Sequence, residues 1–205
     1  MYKRCLAAVI AVCAFPAQSQ PVAPPVSIQP AVDTPQQREV LRKFAVCLAQ
    51  ARPAWARGML SHPYLSSAQA SAAAEALAGR DTCLRTREKE MTFRTSTMVG
   101  SLAEYFVRAE IPRIDPKRLA SGLATAAPLN ASEDFALCLA AHNVGAATDL
   151  ALSEPGSAEE SKAVAEVGAF VQPCANPGEK LTVDAQALRA LVSNALYRGM
   201  MAAER

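Results

Sequence analysis

Cysteine is the residue type in this chain with the widest range of chemistry open to it, and there are six. Cys5 and Cys13 sit in an apolar N-terminal stretch; Cys47, Cys83, Cys138 and Cys174 are spread through the rest. Thiolates can exchange disulfides, attack electrophiles or hold soft metals, and each use demands its own spacing. No Cys-x-x-Cys occurs, so a thioredoxin-like dithiol has no support. Zinc needs four close ligands, and the only histidines, His62 and His142, stand at unrelated positions. Four cysteines outside the N-terminal stretch, an even number, favour structural disulfides over metal ligation or free thiols.

Which cysteines pair follows from sliding the chain against itself. Phe44-Ala45-Val46-Cys47-Leu48-Ala49 matches Phe135-Ala136-Leu137-Cys138-Leu139-Ala140 at a shift of 91, and the same shift carries Cys83 onto Cys174. Ser66-x-x-Gln69 falls on Ser157-x-x-Glu160, and each has the form of a helix capping box. Glu75 falls on Glu166. With one inserted residue, Ser101, Ala103 and Tyr105 match Ser193, Ala195 and Tyr197, and Thr92 meets Asp184, both acceptable helix N-caps. Duplication of a unit copies its internal bond, so the expected pairs are Cys47–Cys83 and Cys138–Cys174.

The elements that must position these cysteines read as helices. Alanine is abundant, aromatics are few, and no run alternates with period two. Val40, Leu41, Phe44, Cys47, Leu48 and Ala51 recur at steps of three and four, one apolar stripe on a helix from about Pro35 to Arg52. A short helix is expected over Trp55–Leu60, a third from Ser66 to near Gly79, and a last from about Thr95 to Ala109. The expected fold is all-α, with two tandem units of three to four helices at 33–111 and 132–205. Between them, 112–131 is expected to be a linker with a short helix around Arg118–Ala124.

Before the first unit come two segments of a different kind. Residues 1–19 have the form of a signal peptide: Lys3 and Arg4, an uncharged run from Cys5 to Phe15, then Ala17-Gln18-Ser19 with small residues at −3 and −1. An uncleaved anchor is the alternative; lipidation of Cys13 would require a small residue where Val12 stands. Residues 20–32 hold four prolines and are expected to be an extended leader. The whole chain has 21 basic and 19 acidic residues; cleavage removes two basic ones and leaves a neutral remainder. That balance offers no electrostatic attraction to nucleic acid, and no later run is long and apolar enough for a membrane span.

Other candidates have ordinary structural explanations. Met91, Met98, Met200 and Met201 lack the repeated spacing of a copper site, and methionine fills cores. Arg80, Arg85, Arg87, Lys89 and Arg94 are interrupted by Asp81, Glu88 and Glu90, as in a solvated loop. Trp55, His62 and Tyr64 are expected to pack locally, and Tyr105 and Tyr197 to bond a nearby carbonyl. Glu159 and Glu160 suit a helix N-terminus. No Gly-x-Ser-x-Gly, Gly-x-Gly-x-x-Gly, Walker loop or His-Glu-x-x-His is present. The expectation is therefore no catalytic residue, no cofactor and no metal.

Phe-Ala-x-Cys, Pro155-Gly156-Ser157-Ala158-Glu159-Glu160, Cys174 and Leu188 through Tyr197-Arg198 resemble the pattern of a group of exported, cysteine-paired helical proteins of Gram-negative bacteria. The resemblance spans about 35–205 and is clearest after residue 132; the first unit departs from it, with Leu65-Ser66-Ser67 in place of the Pro-Gly-Ser turn. It implies a helical, cysteine-paired fold and a periplasmic location, and it transfers no activity and no site. The expected role is a non-catalytic module that binds a protein or an envelope component in a groove between two stacked units. The alternatives are a carrier of an apolar small molecule and, behind it, an enzyme without a recognisable motif, for which His142 is the residue to inspect.

Overall fold

The computed structural model describes residues 27–29, 31–78, 83, 94–176 and 181–204. Ten α-helices and two short strands make up the regular structure among them. The signal-like segment, the first part of the leader, Thr92, Met91 and most of the basic stretch beginning at Arg80 lie outside the described residues.

Helix starts follow the local chemistry. Helix α1 (Pro35–Ala51) opens with proline at its first turn and a capping box in which Thr34 and Gln37 exchange hydrogen bonds. α2 (Pro53–Ser61) follows after one residue, then α3 (Ser67–Ala78) and α4 (Thr95–Glu110). A 3₁₀ turn at Ile111–Arg113 leads to α5 (Pro116–Thr125), capped by Asp115. The second half runs α6 (Ala131–His142), α7 (Val144–Leu152), α8 (Ala158–Gly168), the one-turn α9 (Val171–Cys174) and α10 (Ala185–Ala203). Asn130, Asn143, Ser157 and Asp184 cap α6, α7, α8 and α10 by accepting from backbone N–H groups.

Several features recur at a shift of 91. α2 and α7 are both nine residues long, starting at Pro53 and Val144. Leu65 and Gly156 both adopt positive φ, 62° and 82°, in the turns before α3 and α8. The capping residues Gln69 and Glu160 each reach one position beyond the expected N-cap: their side chains accept from Leu65 N and Gly156 N, the left-handed residues themselves.

The two halves share one hydrophobic core. α10 lies at its centre and packs on α4, α5, α6 and α7. Small residues permit the approach: a Cβ on Gly100 of α4 would collide with Ala190 of α10, and one on Gly122 of α5 with the Gly199 carbonyl. The expected groove between stacked units is closed where α4 meets α10, because Gly100 lets these two helices come together. The stretch 112–131 is likewise no spacer, since Leu119 and Leu123 of α5 are buried.

The end of the leader is also integrated. Ser27–Gln29 forms strand β1, paired in parallel with β2 (Thr182–Asp184), with Ile28 opposite Val183. Ile28 fits over Gly168, where an added Cβ would strike its side chain.

Candidate functional site

Disulfides join Cys47 to Cys83 and Cys138 to Cys174, as expected from the repeat. Two such bonds indicate an oxidising, extracytoplasmic environment. The second ties α6 to the end of α9. One turn after Cys138, His142 is exposed and stacks on Phe170 with ring centroids 5.0 Å apart. Its ring and the two sulfurs of the second disulfide each offer a ligand atom within 4.8 Å of the others.

The densest polar construction is a buried ion network. Arg189 of α10 donates Nε and Nη2 to the two oxygens of Glu104 on α4, both at 2.9 Å. Its Nη1 reaches Glu160 at 3.0 Å and Ser153 Oγ at 3.2 Å, and Nη2 also reaches the Ser153 carbonyl at 2.7 Å. Arg38 of α1 meets the same Glu160 oxygen at 2.6 Å, while Arg108 meets Glu104 at 2.9 Å. Burial pushes the Glu160 carboxyl up, but the Arg38 hydrogen bond, the Gly156 N–H and the two guanidinium charges outweigh it and hold Glu160 below the usual carboxylate range. Burial likewise works against the Arg189 charge, and Glu104 and Glu160 more than restore it. The cleft beside the network measures about 30 Å³, enough for a water and too small for an organic substrate. Arg38 Nε is buried there without a protein partner.

A third buried carboxylate organises a surface. Glu133 of α6 is 1% exposed. One of its oxygens accepts from Tyr64 N at 2.9 Å and the other from Leu129 N at 2.8 Å, with Arg198 at 3.4 Å. Asn130 Nδ2 adds a bond to the Tyr64 carbonyl at 2.7 Å. The α2–α3 turn of one half is thereby fixed to the segment entering the other. The residues carried on these clamped segments include Leu65 and Leu129, which are 53% and 49% exposed. Leu129 also lines an open concavity of about 700 Å³ with Leu60, Ala126, Tyr197, Arg198 and Met201. A neighbouring concavity of about 510 Å³ is lined by Arg57, Glu110, Arg113 and Arg118.

The remaining sequence candidates scatter. Trp55 is half-buried under the Arg52 guanidinium, and its Nε1 has no hydrogen-bond partner. Tyr64 is buried, which pushes its hydroxyl well above the usual phenol value. His62 sits half-buried at the end of α2. Tyr105 packs edge-on against Phe106, and Tyr197 packs against the same ring. Burial raises the Tyr197 hydroxyl's ionisation above the phenol value, against the opposing pull of the Arg57 guanidinium. Met98 and Met200 are buried in the core, apart from Met201 in the concavity.

Sequence reasoning passed over Arg38, Glu104, Glu133 and Arg189. A usable signal existed: Arg189 and Glu104 each interrupt an otherwise buried helical face, and a buried charge requires a partner. No protein-family model, curated protein or solved structure matches the chain.

Proposed function

We propose that this chain is an exported, non-catalytic protein of two tandem helical units that holds a partner protein or envelope component in the periplasm. The observation that carries this reading is the Glu133 clamp. It spends a buried carboxylate on fixing the backbone at Tyr64 and Leu129, which holds the segments carrying two exposed leucines, Leu65 and Leu129, the second of which lines an open concavity. Preorganised apolar side chains on a rigid frame are what a protein-binding surface requires, because little ordering entropy remains to be lost on association. The recurrence of helix starts, positive-φ turns and cysteine spacing supports the duplicated unit. The signal-like start, together with two disulfides, supports export.

The test is a photo-crosslinking residue placed at position 129 and, as control, at the exposed position 32, ahead of the first helix. A discrete adduct from position 129 in periplasmic cells, absent from position 32, supports the reading. No adduct at 129 counts against it.

The second reading, a carrier of an apolar small molecule, draws on the same concavity, where Leu60, Tyr197 and Met201 meet Arg198. Native mass spectrometry of protein from its own host separates the two, since a carrier retains a ligand of defined mass.

A further inference from the structure

The two cysteine pairs differ in sequence at two matched positions. His142 follows Cys138 by four residues, so ring and sulfur share one face of α6. At the position 91 residues earlier stands Ala51, and Gly79 stands where Phe170 would be, so the matching positions of the first half supply neither an imidazole nor a ring. Sulfurs of Cys138 and Cys174 and one nitrogen of His142 lie mutually within 4.8 Å, at a half-exposed corner open to water.

We propose that reduction turns this corner into a metal site, in which the Cys138 and Cys174 thiolates and the His142 imidazole take one thiolate-preferring cation such as Zn²⁺. Two sulfurs and one nitrogen form a three-ligand zinc set with the fourth position left to water. Around a tetrahedral ion, Zn–S of about 2.3 Å and Zn–N of about 2.0–2.1 Å put the ligand atoms roughly 3.5–3.8 Å apart. The present cluster spans that distance once the sulfurs are freed to separate. Phe170 holds the imidazole plane in place. None of the three ligands lines the Leu129 concavity, so the proposal stands or falls independently of partner binding.

The steps balance with a dithiol as reductant. It attacks one sulfur, forms a mixed disulfide and leaves as its own disulfide; the protein gains two electrons and two protons and has two thiols. Zn²⁺ then displaces both thiol protons, and the neutral imidazole binds through its free nitrogen lone pair.

The full chain, reduced by a dithiol and desalted without oxygen, is titrated with Zn²⁺, and with Co²⁺ to read the thiolate charge-transfer band. The expected result is one ion bound with release of two protons, and none bound by the oxidised protein. His142→Ala, a substitution on the surface, should weaken binding at least tenfold. Cys47→Ser/Cys83→Ser should leave the site intact. Circular dichroism reports whether the reduced chain is helical. Three results overturn the proposal: no ion bound after reduction, binding indifferent to His142→Ala, or a reduced chain that is unfolded and not restored by Zn²⁺.

Discussion

Arg189 grips Glu104 with both arms of its guanidinium fork, each at 2.9 Å, and so ties the central helix α10 to α4 across the two halves of the chain. The same guanidinium also serves Glu160 and two carbonyls, which leaves it fully satisfied inside the core. Removing one member of such a pair leaves charge stranded out of water. Arg189→Met is expected to destabilise the protein by about 3–5 kcal/mol. Urea unfolding measures it; a loss below about 1 kcal/mol would mean that water reaches Glu104 and Glu160 and replaces the arginine.

Glu160 gives the fold an acid-side pH dependence. Its carboxyl is held below its ordinary value of 4.5 in the folded state. A depressed folded pKa contributes stability that is full above 4.5 and is lost as pH falls through the folded value. Wild-type protein should therefore weaken steeply below pH 4.5, and Glu160→Gln should weaken less over that interval while being less stable at neutral pH. Thermal unfolding at stepped pH checks both; parallel curves for the two proteins would contradict the assignment.

Leu65 occupies a conformation that suits glycine, with φ of 62°, where the matching residue is Gly156. A left-handed backbone costs a branched residue roughly 1 kcal/mol. Its side chain is half exposed, so little packing is at stake. Leu65→Gly is expected to raise stability by up to about 1 kcal/mol and to reduce partner capture. A variant with unchanged capture would relieve Leu65 of any role at the surface.

Gly122 lets α5 lie directly on α10, with Gly199 and Ala203 where a methyl would go. Both obstacles involve helix backbone, which cannot swing aside as a flexible side chain would. Gly122→Ala should cost about 1–3 kcal/mol through overpacking. Calorimetric melting is the measurement, and an unchanged melting temperature would show that α5 is free to shift.

Each disulfide closes a separation of 36 residues. On the chain-entropy account, losing one should cost about 4 kcal/mol. The double variant Cys138→Ser/Cys174→Ser is expected to unfold at correspondingly lower denaturant concentration. Retention of wild-type stability would place the stabilisation elsewhere.

The parts of this fold that were legible in the sequence are the local ones. Pro35, Ser66-x-x-Gln69 and Ser157-x-x-Glu160 announce helix starts through contacts at most three residues long, and α1, α3 and α8 begin within one residue of the positions expected from them. The cysteine pairs were legible because the chain states the spacing twice. The ion network was not: Glu104 finds Arg189 only 85 residues later, and Arg38 reaches Glu160 across 122. A charge that interrupts a buried face, as Glu104 and Arg189 do, shows that a partner is needed, but nothing local says which distant residue supplies it. Strand β1 escaped for the same reason, since three residues carry little propensity and their partner is Thr182–Asp184. The Leu65–Leu129 surface depended on Glu133 reaching back 69 residues to Tyr64 N.

The seam between α4 and α10 carries a consequence for either half taken alone. Each of these helices completes its own half and also walls the other, meeting at Gly100 and Ala190. A polypeptide possessing just one half would leave this flank greasy and bare, and would be expected to self-associate through it as a two-fold dimer. Expressing 132–205 alone should thus yield a concentration-dependent dimer, with the seam rebuilt between two chains instead of within one.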